Sequence, residues 1–171
     1  MDDQTAELGP YIARCHSNYT PVRSFNRNNR IFKTENQPLL RRGRMNRVIV
    51  YPGCFNPPHL GHYNMLRRAF EGSRDINVVA AVVFPLNDSR LEGKYAMSDG
   101  LILSKAERVR LWRSDARFMP EWWVYDGDEG DWYALRDDLE EAIERDGFEI
   151  QFSSVLGPDH IGRFTPYCGQ N

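Results

Sequence analysis

A chain of 171 residues can bury one ordinary core and is too short for two full-sized domains. Its 41 % hydrophobic and 27 % charged residues exclude collagen-like, coiled-coil and wholly disordered classes. The formal charge of −2 is unevenly spread: residues 1–45 hold eight Lys/Arg against four Asp/Glu, while residues 46–171 hold 14 against 20.

Residues 1–45 show no apolar recurrence at period 2 or 3.6, and Asn and Arg crowd Ser24-Phe-Asn-Arg-Asn-Asn-Arg30. The segment therefore reads as a basic, flexible N-terminal extension. Arg41-Arg-Gly-Arg44 suits phosphate neutralisation, but a solvated basic tail is the better reading, and nucleic acid is not an expected partner. His16 stands alone and carries no signal. The opening lacks the charged-then-apolar layout of a secretory signal, and no apolar run approaches the roughly 20 residues that span a bilayer. A cytoplasmic or nuclear address is expected.

From Arg47 the pattern changes. Arg47–Tyr51 is a β-branched apolar run stopped by Pro52-Gly53, which predicts a buried strand feeding a tight loop. His59 to Glu71 has mostly helical spacing, with Leu60, Tyr63, Met65, Leu66 and Phe70 as its apolar side and Gly72 as its stop. Ile76–Phe84 is nearly all apolar, as a strand covered on both faces should be. Leu86–Leu103 reads as a long polar functional loop. Ser104-Lys-Ala-Glu107 then has the form of a capping box, opening a helix whose apolar side is Val109, Leu111 and Trp112. Glu121–Tyr125 predicts a third strand, on which alternation points only one of Trp122 and Trp123 inward. Asp131–Asp146 predicts a third helix with Trp132, Leu135, Leu139 and Ile143 inward, and Phe148–Leu156 a fourth strand.

This alternation makes residues 46–171 one α/β domain, a three-layer sandwich around a mainly parallel sheet. Such sheets bind ligands beyond the carboxyl ends of their strands. Two loops lie there: residues 52–62 and residues 157–160. The first reads Gly53-Cys-Phe-Asn-Pro-Pro-His-Leu-Gly-His62 between a strand and a helix. Gly53 allows backbone to approach a ligand, and the free N–H groups of a helix start attract anions. His59 and His62 are one helical turn apart, so both imidazoles can aim at one small volume. Donors fixed there suit a polyphosphate whose charge shifts onto a leaving pyrophosphate. A phosphate nucleophile is already ionised near neutral pH and requires no general base.

This loop resembles the G-x-F-(D/N)-P-x-H-x-G-H signature of the HxGH nucleotidylyltransferase superfamily. Residues 46–171 resemble the amino-terminal two thirds of the nicotinamide-nucleotide adenylyltransferase family. The resemblance implies a Rossmann-like fold and Mg²⁺-dependent transfer of an adenylyl group from ATP to a phosphate acceptor such as nicotinamide mononucleotide. It assigns His59, His62 and Lys94 to catalysis at the triphosphate. It assigns Gly53, Cys54, Phe55, Asn56, Gly61, Arg108, Gly157 and Asp159 to nucleotide binding, with Asp159 accepting from ribose hydroxyls. Lys94 reads equally as a surface lysine; Arg108 reads better as a structural residue of its helix, and for Asp159 a turn aspartate capping the next helix is the lesser, competing reading.

Two departures bear on this. The superfamily's second phosphate motif, Ile-Ser-x-Thr-x-x-Arg, does not occur in the twelve residues after Asp159, and Asp126-Gly-Asp-Glu-Gly130 stands where nicotinamide-specific members carry tryptophan and glutamate. Cytidylyl transfer from CTP to a phosphorylated alcohol and a catalytically silent nucleotide-binding form are therefore carried as alternatives. A metal held by His59 and His62 lacks a third ligand nearby, and Cys15, Cys54 and Cys168 form no C-x-x-C pair. No metal site in the protein itself is expected. The fingerprints of hydride-transfer enzymes and P-loop NTPases are absent. Whether the chain forms a homo-oligomer is left open.

Overall fold

A computed structural model describes residues 4–19, 31–32, 37–95 and 100–156, without the side chains of residues 94 and 95. Eleven elements run along them: β1 (Thr5–Glu7), α1 (Leu8–His16), β2 (Leu39–Arg41), β3 (Met45–Gly53), α2 (Leu60–Glu71), β4 (Val78–Pro85), α3 (Asp88–Tyr95), α4 (Lys105–Ser114), β5 (Trp122–Val124), α5 (Glu129–Arg145) and β6 (Glu149–Ser154). β3, β4, β5 and β6 form one parallel sheet in the order β5-β4-β3-β6. Both of its faces are covered, as a parallel sheet requires. Val48 and Val50 of β3 and Ala80, Val82 and Phe84 of β4 join one core cluster with residues of α1 and α5. Ile49 and Tyr51, with Ala81 and Val83, join the other with residues of α2 and α4. The fold is thus the expected α/β three-layer sandwich, of Rossmann-like strand order.

Two-sided cover corrects the reading of β5. Trp122 and Trp123 are both buried, one in each core cluster. Two helical positions read as inward are outward: Leu60 is 53 % and Leu111 39 % exposed. The expected loop 86–103 contains α3, whose eight residues DSRLEGKY bury Leu91 and start at Asp88. One apolar residue per two turns leaves no periodicity for a sequence reading to find.

The larger correction is at the N-terminus. Within residues 1–45, the described part is packed into the domain. β1 and β2 pair antiparallel, Thr5 opposite Arg41 and Glu7 opposite Leu39. α1 lies on α5 with Leu8, Tyr11, Ile12 and Cys15 in the core, and Phe32 and Leu40 join them. Four apolar side chains on a nine-residue helix suffice because α5 and the sheet face offer a ready apolar surface. Asn46, fully buried, stitches this layer to the sheet: its Oδ1 accepts from Arg41 N–H (2.8 Å), and its Nδ2 donates to Arg41 O (3.0 Å) and Glu149 O (2.8 Å). Among the described residues no helix is long and apolar enough to cross a membrane.

Candidate active site

The strand order changes direction at β3: the chain goes first to β4 and β5 on one side and returns as β6 on the other. The crevice beyond the carboxyl ends of β3 and β6 is where open α/β sheets bind ligands. The histidine loop leaves β3 at that point.

Each residue of the loop has a mechanical reason. Phe55 has a positive φ of 48°, a backbone state that costs a bulky residue free energy. It turns the ring inward, where it is 3 % exposed and meets Tyr51, His62 and Trp112 edge to face at 5.1, 5.0 and 5.1 Å. Gly53 is required by that ring, since a Cβ there would lie 2.7 Å from it. Asn56 staples the following loop: its Nδ2 donates to Leu101 O (2.8 Å) and its Oδ1 accepts from Leu103 N–H (2.7 Å).

The histidines close a reciprocal cap on α2. His59 Nδ1 accepts from Gly61 N–H and His62 Nδ1 accepts from His59 N–H, both at 3.1 Å. The rings stack with centroids 3.6 Å apart at 26°. Gly61 leaves room for this, because a Cβ there would come within 3.0 Å of the His59 ring. An imidazole whose Nδ1 accepts must carry its neutral-state proton on Nε2. Both rings sit at the positive end of a helix. His59 is exposed and His62 half-buried.

Arg108, assigned to nucleotide binding by the resemblance, bonds to protein in this arrangement. It is fully buried and spends its donors on protein: Nη1 to Cys54 O (2.7 Å), Nη2 to Leu86 O (2.8 Å) and Asp88 Oδ1 (2.6 Å), Nε to Leu103 O (3.1 Å). Nor does Phe55 line an open surface; its buried ring backs His62. Cys54 contributes its carbonyl to Arg108 and is half-buried. Lys94 falls on α3, and its side chain lies outside the described residues, as do Gly157 and Asp159. The Ser104–Glu107 capping box is present, with Ser104 N–H donating to Glu107 Oε2 at 2.9 Å.

Two polar side chains at the carboxyl ends of β4 and β5 were not legible in the sequence. Lys105 donates to Asn87 Oδ1 (3.0 Å) and Gly127 O, lies 5.7 Å from both the Phe84 and Tyr125 rings, and has its pKa pushed down by burial. A lysine in the first turn opposes the helix dipole, and that local mismatch is a signal of a tertiary role. His16 reaches the turn after β5 from α1: its Nε2 lies 3.4 Å from Asp126 Oδ1, with Trp123 and Tyr125 against its ring. Burial pushes the Asp126 carboxyl up, and His16 and Arg113 more than offset it, holding it at about 2.

Residues 50–131 match the cytidylyltransferase-like family model. The matched segment runs from within β3 to the first turn of α5 and contains the whole histidine loop. It supports a nucleotidyltransferase activity in general terms, with a nucleoside triphosphate as substrate. No curated protein matches the chain. Within this cytidylyltransferase-like segment, Arg108 and Asn56 hold the loop that the two imidazoles crown.

Proposed function

We propose that the chain transfers an adenylyl group from ATP to a small phosphorylated acceptor such as nicotinamide mononucleotide, releasing pyrophosphate. The observation that carries this reading is the stacked imidazole pair, each ring accepting through Nδ1 at the start of α2. An acceptor phosphate oxygen attacks the α-phosphorus; the bond to the β-phosphate bridging oxygen breaks, and its electron pair leaves with pyrophosphate. His59 and His62 donate from Nε2 to the phosphate oxygens on which charge accumulates. No proton has to be removed from the nucleophile.

Mg²⁺ would neutralise the triphosphate. Among the described residues no three His, Cys, Asp or Glu side chains group to hold a metal. This chemistry fits a metal carried on the substrate's own phosphate oxygens, as Mg²⁺ commonly is.

A second reading, cytidylyl transfer from CTP to a phosphorylated alcohol, is favoured by the description of the matching family model. Incubation with Mg²⁺, one triphosphate at a time and a panel of phosphate acceptors separates them by pyrophosphate release. Release with ATP and nicotinamide mononucleotide supports the first reading and release with CTP and phosphocholine the second. Nucleotide binding without release with any acceptor overturns both.

A further inference from the structure

At the opposite ends of the strands, far along the fold from the histidine loop, lies a cleft of about 560 Å³. Its walls include Arg41 of β2, Arg44 of the following turn, Phe70 and Arg74 at and after the end of α2, Asn77 before β4 and Glu121 before β5. Gly43, at φ 73°, makes the turn that separates the three arginines of the basic cluster. Arg42 goes the other way: its Nη2 donates to Asp146 O (2.9 Å) and its guanidinium lies 4.9 Å from the Phe148 ring. Arg41 and Arg44 are exposed, and neither forms an ion pair among the described residues. Arg74 lies 5.4 Å from the Phe70 ring centroid and 3.8 Å from Glu121 Oε1. Glu121 Oε2 is buried and has no hydrogen-bond partner among the described residues.

We propose that this cleft binds a small phosphorylated ligand. Guanidinium forks match phosphate oxygens in geometry, and three of them against one carboxylate leave the concavity positive. The volume lies inside the range of about 300–1,000 Å³ typical of small-molecule sites. A nucleic-acid strand would need a longer charged track.

The test uses the full chain and ribose 5-phosphate as probe, followed by backbone amide NMR shifts. Saturable shifts at residues 39–44 and 74–79 are expected. The Arg41→Ser/Arg44→Ser double variant, with its circular dichroism and melting temperature compared with the parent, is expected to bind at least about tenfold more weakly. Both side chains are exposed and unpaired, so the variant should fold. Shifts confined to residues 53–62, or an unchanged dissociation constant in the folded double variant, would overturn the site. Inorganic phosphate is expected to compete with ribose 5-phosphate for these residues; an inorganic phosphate that shifts none of them and does not compete would overturn the anion assignment. A short single-stranded oligonucleotide that binds more tightly and displaces the sugar phosphate overturns the small-ligand assignment. His59→Ala is expected to leave these shifts in place, which separates this site from the histidine loop.

Discussion

The starts of α2 and α4 lie side by side at the carboxyl end of the sheet and treat their cations in opposite ways. At α4, Arg108 is fully buried and bound to three carbonyls and a carboxylate, and Lys105 beside it is held by Asn87 and Gly127. At α2, His59 is exposed, and each imidazole accepts a backbone N–H through Nδ1. One start is a brace, and the other is where we propose the triphosphate binds. The brace gives the loop a single shape, and the loop aims the imidazoles. Preorganised donors of this kind act without reorganising during the reaction.

That division can be broken from either side. Arg108→Ala should have the largest effect, about 3–5 kcal/mol of stability in urea unfolding, because it strands buried carbonyls from three segments. A loss under 1 kcal/mol would mean the brace is dispensable. His62→Ala should lower turnover by about 10²–10³-fold, the cost typical of one lost transition-state donor. The same variant should lose only about 1 kcal/mol of stability, for its share of the cap. Comparable losses of stability and of turnover in that variant would make His62 a structural residue. Asn56→Ala should fall between, at about 1–3 kcal/mol, since Leu101 O and Leu103 N–H both lose their partner.

The smallest expected effect concerns the N-terminal layer. Burial, and then the bond donated to Asp146 (2.6 Å), push the Tyr11 hydroxyl up to about 12. A raised folded-state pKa means that this contribution is complete below pH 10, the ordinary tyrosine value, and fades as pH rises toward 12. Tyr11→Phe should cost about 0.5–1.5 kcal/mol at neutral pH. It should also flatten the alkaline decline in melting temperature between pH 10 and 12, and an unchanged slope would place the decline elsewhere, for example at Tyr63, also raised to about 12 by burial.

Local signals reached as far as local forces do. The apolar run ending at Pro52, the reciprocal Ser104–Glu107 cap and the one-turn spacing of His59 and His62 each reflect neighbours within a few residues. The strand–loop–helix setting of the histidine loop was legible for that reason. The inward turn of Phe55 was not, since its positive φ is stabilised by Trp112, 57 positions along the chain and 5.1 Å away.

The amino-acid order by itself determined the alternating strands and helices, the two-faced burial of the sheet and the loop that carries the imidazoles, because periodicity and capping are encoded within one or two turns. Tertiary structure alone decided that residues of α1 join the core, that Arg108 braces the histidine loop, and that Arg41, Arg44, Arg74 and Glu121 meet in one cleft. Those outcomes depend on which distant surfaces become neighbours, and burial is a property of the assembled layers rather than of any stretch of chain.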